Sequence, residues 1–237
     1  MSDLWTMIWK ELKDEILQGG RQAFIRPLLI IGIMGVILPW QFGPRWLAFN
    51  SVVILVVVYV SFFFISSFIG DAIAGEHECH TLETLLASRI SDRAILLGKV
   101  IVVVGYTWIL ILVSLLLGSV VVNVTQGAGV WTFYAPFGLL IYTLVLSLLS
   151  SLLVASGGVL VSLHSPTVRQ AQQTLALASL GLAVLLILGL RSVPTDLISS
   201  LSNNQILFFV LAGLAILDAI LLGIALASFK RARLILS

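Results

Sequence analysis

Six apolar stretches, each close to the thickness of a bilayer when helical, divide this chain, and its polar residues gather between them. They run Phe24–Trp40, Leu47–Gly70, Val100–Val122, Phe137–Leu163, Thr174–Leu190 and Ile206–Phe229. A hydrocarbon core about 30 Å thick is crossed by roughly 20 helical residues, so the pattern predicts six transmembrane helices. The first and fifth are short, which local thinning or buried flanks accommodate. Ahead of them, Leu4, Trp5, Ile8, Trp9, Leu12 and Ile16 share one helical stripe, with Lys10, Glu11, Lys13 and Asp14 elsewhere. That predicts an N-terminal amphipathic helix over 3–18, ended by Gly19-Gly20 and lying in the membrane interface. The competing reading is an amphipathic helix packed on protein. Ser165-Pro166 reads as an N-cap and first helical residue opening the fifth span, and Ser91-Asp92 caps the approach to the third.

Composition makes the solvent lipid. Of 237 residues, 59% are hydrophobic and 10% charged, where a soluble domain carries roughly 25% charged. The charges also set an orientation. With the N-terminus cytoplasmic, Lys10, Lys13, Arg21, Arg26, Arg89, Arg93, Lys99, Arg169, Lys230, Arg231 and Arg233 fall on one side, and only Arg45 and Arg191 on the other. This asymmetry is the positive-inside bias, and it predicts a multi-pass protein of the cell membrane with both termini cytoplasmic. Trp40, Trp46, Trp131 and Tyr134 sit at predicted outer ends, as an aromatic belt does. The single cysteine, Cys79, makes no intrachain disulfide framework. The charged first twenty residues give no reason to expect a cleavable leader, and no linker interrupts residues 1–237, which read as one membrane domain.

The most informative polar stretch is Asp71–Lys99. It is acidic in its first half and basic in its second, and Leu82, Leu85 and Leu86 repeat at helical spacing. A short amphipathic helix exposed between two spans suits docking into a partner's groove. The run from Gly70 to Lys99 reads G-D-x-I-A-G-E-x-E-x-x-T-L-E-x-L-L-A-S-x-I-S-x-x-x-I-L-x-G-K, and over these thirty residues it resembles the permease subunits of ABC-2 type transporters. The resemblance implies an all-α fold of six transmembrane helices with an N-terminal interfacial helix. It also implies a cytoplasmic coupling helix between spans two and three. Carried over residue by residue, Gly75, Glu76, Thr81, Leu82, Glu83, Leu85 and Leu86 become positions that face an ATPase subunit. Arg89 stands where that family commonly has proline, and His77-Glu78-Cys79-His80 where basic and polar residues are usual.

The same resemblance implies the working assembly. This chain is expected to be one permease subunit of an ATP-driven exporter, pairing with a second permease chain, identical or related. Separate ATPase subunits would hold the ATP and magnesium, and membrane lipid would surround the bundle. The chain itself is expected to bind no cofactor, metal or nucleic acid and to catalyse no reaction. In keeping with this, Gly98-Lys99 is followed by Val100 and has no leading glycine, so no Walker A loop is present. His77, Cys79 and His80 have ligand chemistry, but no second cluster completes a zinc pattern, and a hydrated polar helix accounts for them.

Two other classes compete. Asp218, midway along the last span, is an acid where charge costs roughly 2.5–3.5 kcal/mol, and it forms a possible intramembrane polar site. An ion-coupled secondary carrier would use it, while a structural hydrogen bond to Tyr106, Thr107, Ser114, Tyr142, Thr143 or Ser179 explains it equally. A more remote alternative is an intramembrane serine protease built on Ser156 and His164. Eight residues apart on one helix, these are about 12 Å apart along the axis, too far for a nucleophile and its base.

Overall fold

Inside hydrocarbon, each backbone N–H and C=O must find a partner within its own segment, and the apolar runs of this chain do so as helices. The computed structural model describes residues 2–17, 20–48, 51–78, 91–126, 131–135, 137–163, 165, 167–178, 181 and 203–228, and no strand occurs among them. Helix α1 is Ser2–Leu17 and α2 is Gly20–Gly32. A π-helical turn follows at Ile33–Ile37, closed by the Leu38 N–H donating to the Ile33 carbonyl, and α3 continues over Leu38–Phe42. Helix α4 is the single turn Pro44–Leu47, α5 is Ser51–Glu78, α6 is Asp92–Gln126 and α7 is Phe137–Leu163. Helix α8 covers residues 168–178 and α9 is Asn203–Ser228.

Among the described residues, Asp92–Gln126, Phe137–Leu163 and Phe208–Ser228 are long and apolar enough to cross a membrane, and Pro27–Phe42 and Val53–Ser66 are shorter apolar helices. These overlap five of the six expected spans. The other, Thr174–Leu190, lies mostly outside the described residues. Two helices extend past the apolar runs that announce them. Helix α5 continues through Glu78, and α6 starts at Asp92, eight residues before the apolar run at Val100. The Ser91 carbonyl receives the Ala94 and Ile95 N–H groups at 2.9 and 3.1 Å, and Asp92 sits at the positive end of the dipole. The added first turns of α6 are not bare: Ala94, Ile95 and Leu96 are buried, the last two in a core cluster.

Helix α6 is the central post. It packs on α1, on α2 with the π-helical turn, on α5 and on α7, while α7 also lies between α5 and α9. The core forms two clusters along the bundle. The one at the α1 end gathers Met7, Ile69, Ile95, Leu96, Val103 and Val159. The one at the far end gathers Met34, Trp46, Val57, Ile111, Leu115 and Tyr134. The small residues of α7 are used inside this chain: Ser147, Ser151 and Ala155 are fully buried, and a Cβ at Gly158 would collide with the Ile69 side chain of α5. Small residues permit this approach because lipid offers no hydrophobic drive for helices to associate, and close packing must supply it.

The far end corrects the expected aromatic belt. Trp40 and Trp131 are 62% and 61% exposed, as a belt requires, but Trp46 and Tyr134 are core residues. Their burial follows from α4 folding inward. Gly43 adopts φ 55° and ψ −135°, a conformation open to glycine, and a Cβ there would strike the Gln126 side chain. The Tyr134 hydroxyl then donates to the Leu115 carbonyl at 2.7 Å, and burial pushes it above its ordinary pKa, so it stays a neutral donor. Asn123 pins the adjoining loop, accepting from the Thr132 N–H at 2.8 Å and donating to its carbonyl at 2.7 Å.

The cap before α8 also differs from expectation. Ser165 turns its hydroxyl back to the Val161 carbonyl at 2.9 Å. Thr167 does the capping, accepting the Gln170 N–H at 3.3 Å. A hydroxyl two residues nearer the first turn reaches its free N–H groups, and the earlier one completes the preceding helix instead.

Candidate functional site

The Gly70–Lys99 run joins two helices that the fold holds side by side. Ile65, Phe68 and Ile69 of α5 and Ile95, Leu96, Val100 and Val103 of α6 share one core cluster, so the helices carrying both ends of the 79–90 segment are packed together. Gly75 and Glu76 fall in the last turns of α5. Thr81, Leu82, Glu83, Leu85 and Leu86 lie outside the described residues, as do Cys79 and His80. At the other boundary, Ser91 and Arg93 are exposed while Ala94, Ile95 and Leu96 are buried.

Helix α1 joins the same end of the bundle, and it does so on an edge that the Trp stripe does not mark. Met7 is fully buried. It sits over Gly98, where a Cβ would come within 2.7 Å of Met7 Cγ, so glycine is what allows α1 to cross α6 this closely. One turn on, the Lys99 ammonium meets Glu11 Oε1 at 3.1 Å, with Lys99 2% and Glu11 13% exposed. Lys10 reaches the same carboxylate oxygen at 3.6 Å from a more exposed position. Leu4, Ile8 and Leu12 are half-buried. The packed edge is therefore Leu4, Met7, Ile8, Glu11 and Leu12, a regular three-and-four spacing, and Trp5 and Trp9 point away at 67% and 65% exposure. One edge of α1 therefore packs on protein, and the next presents two indoles to the surroundings. The sequence reading missed Met7 and Glu11 because a glutamate was counted with the polar face. The charge bias places Lys99 on the cytoplasmic side, and its side chain is buried against α1.

Asp218 has the opposite circumstance. Along α9, Leu211, Leu214, Asp218, Leu222 and Ala225 are the better covered positions, while Ile216, Leu217, Ile220 and Ile224 are exposed. This stripe faces α7, and Asp218 is its centre at 2% exposure. Neither carboxyl oxygen has a hydrogen-bond partner, and the buried hydroxyls of Thr107, Ser151 and Ser162 are likewise unbonded. Of the partners expected for Asp218, Ser114 and Thr143 donate instead to carbonyls one turn back, Leu110 and Leu139, each at 2.7 Å. Tyr106 packs edge-on against Phe68, and Ser179 lies outside the described residues. The Ser156 hydroxyl is engaged by the Leu152 and Leu153 carbonyls at 2.9 and 3.1 Å, which leaves it poorly placed as a nucleophile.

A helical bundle with the Gly70–Lys99 run between α5 and α6 matches a known family. The family model described as ABC-2 family transporter protein covers residues 37–209. The chain belongs to the ABC-2 transporter family. The match runs from the end of the π-helical turn through the Gly70–Lys99 run and past α7 and α8 into α9. A search of curated proteins gives no match. Membership makes this chain a membrane component of an ABC transporter, a part that is generally not itself catalytic. It also implies association with ABC ATPase subunits.

Proposed function

We propose that this ABC-2 chain is the permease subunit of an exporter, working with a second permease chain and with separate ATPase subunits that bind ATP and magnesium. What carries the reading is the family match across the coupling motif, together with the packing of α5 and α6 on either side of it. In this reading both termini and the 79–90 segment are cytoplasmic. Leu82, Leu85 and Leu86 are apolar anchors in a groove of the ATPase, and Gly75, Glu76, Thr81 and Glu83 set the register around them. Closure of the ATPases pushes the segment, and α5 and α6 carry the displacement into the bundle because their ends are packed together. The cargo class that suits so apolar a bundle is lipidic or amphipathic.

The test is capture of the tagged chain from its native membrane, with mass spectrometry of what comes with it. The wild type is expected to bring down a chain carrying a Walker A loop. Truncating an anchor in a desolvated pocket costs about 2 kcal/mol or more, so Leu82→Ala with Leu85→Ala is expected to lose that partner while the permease remains inserted. Glu83→Arg is expected to weaken capture by setting like charges together. Full recovery of the ATPase by the double leucine variant would sink the coupling assignment and make the ion-coupled reading centred on Asp218 the one to pursue.

A further inference from the structure

Helix α1 touches the bundle beside both flanks of the 79–90 segment. Met7 shares a core cluster with Phe68 and Ile69 of α5 and with Ile95 and Leu96 of α6. Glu11 meets Lys99 at 3.1 Å, and Lys99 lies about two turns past Asp92, where α6 begins. A displacement of α1 along α6 is therefore felt by the residues that lead into and out of the segment.

Two contacts hold α1 on α6, and they constrain different things. The Gly98 notch sets how closely the helices cross, because Met7 occupies the space that a Cβ would need. It leaves their register loose. Apolar contact is non-directional, and Leu4, Ile8 and Leu12 continue the packed edge at helical spacing. A slip of one turn would bring Leu4 to Gly98 and Ile8 to Lys99. The first exchange sets one apolar side chain in place of another. The second sets an apolar side chain, in place of the Glu11 carboxylate, against an ammonium that is 2% exposed. The charge pair thus penalises the slip that the apolar edge tolerates, and fixing register is the best-attested use of a buried polar pair.

We propose that Glu11 and Lys99 are positioning residues: their ion pair fixes the register of α1 on α6, and through it the height at which the 79–90 segment meets the ATPase. The first half stands on the geometry alone, and the second rests on the permease reading. Two apolar residues in place of a buried pair often preserve stability, but they carry no register, and this separates positioning from mere support.

The test uses the permease–ATPase complex in lipid nanodiscs, with Cys79→Ser as the reference and nitroxides on cysteines at Lys13 and Arg93, both exposed. Double electron–electron resonance is expected to give one narrow distance in the reference. Glu11→Leu with Lys99→Met is expected to broaden or shift it, and the swapped pair, Glu11→Lys with Lys99→Glu, to narrow it again. In the same complexes without labels, the apolar pair is expected to lower kcat for ATP hydrolysis severalfold. KM for ATP stays unchanged, because the nucleotide site is on another chain, and the swapped pair regains most of the rate. An apolar pair that keeps the reference distance, or loses it and keeps the reference kcat, overturns the proposal. So does a swapped pair that folds with the reference midpoint but stays broad, which decides the matter even if the apolar pair does not fold. A reference preparation with no ATP hydrolysis overturns the permease reading instead, and the spin-label distances then judge the register by themselves.

Discussion

Lys99 and Asp218 are both ionisable, both 2% exposed, and in opposite positions energetically. Lys99 has a carboxylate at 3.1 Å. Removing one partner of a buried pair typically costs about 3–5 kcal/mol, because the other charge stays behind unpaired, while replacing both is often neutral. Glu11→Leu alone is therefore expected to lower the unfolding midpoint of the purified chain by several degrees, and Glu11→Leu with Lys99→Met to recover most of it. If both variants are equally destabilised, the pair is not what holds α1. Asp218 has no such partner, and a leucine there removes an insertion cost of roughly 2.5–3.5 kcal/mol. Asp218→Leu is expected to raise the midpoint. A lowered midpoint would mean that the acid is paired within the working assembly.

At the scale of elements, hydrophobic runs locate helices well and end them badly. The runs starting at Leu47 and Val100 point to α5 and α6, but α5 continues through polar residues to Glu78, and α6 begins at Asp92, its first turn held by the Ser91 carbonyl and its next residues packed in the core. Faces are harder still. Trp46 and Trp40 read alike in sequence, and only the turn at Gly43 sends one inward and leaves the other out. In α1 the two tryptophans draw the eye, yet the packed edge is one position away. The row Ser147, Ser151 and Ala155 signals close helix approach, and sequence leaves open whether the partner is in the same chain. Its complete burial within the subunit answers that. A cysteine at Ser147 or Ser151 is thus expected to give no cross-link between two chains under oxidation, scored as dimer on a non-reducing gel. Efficient dimer formation there would relocate the subunit interface to α7.

For the whole molecule, the membrane class and the family are legible in the sequence because lipid imposes long apolar runs and the motif from Gly70 to Lys99 is specific. What was hidden is the division of the core into two clusters and the side-by-side hold on both flanks of the motif, since these depend on which helices neighbour one another. The orientation proposed from the charge bias makes a plain prediction. A cysteine at Thr125, exposed at the last turn of α6, is expected to react with an impermeant thiol reagent applied to intact cells, and one at Asp3 is expected not to. The reverse pattern would invert the topology.

The clasp between Glu11 and Lys99 joins residues 88 apart in the chain, and that separation bears on how the protein is made. At roughly 5–20 residues per second of synthesis, the N-terminal helix leaves the ribosome some 4–18 s before its partner exists. Through that interval Met7 and Glu11 are without Gly98 and Lys99, on which they dock, while α2 and α5 are made. In the interfacial reading of α1, the exposed indoles of Trp5 and Trp9 would hold the waiting helix at the bilayer surface until Gly98 and Lys99 emerge. Docking of the first helix on α6 thus has to wait until Gly98 and Lys99 have been made, which sets it late in synthesis.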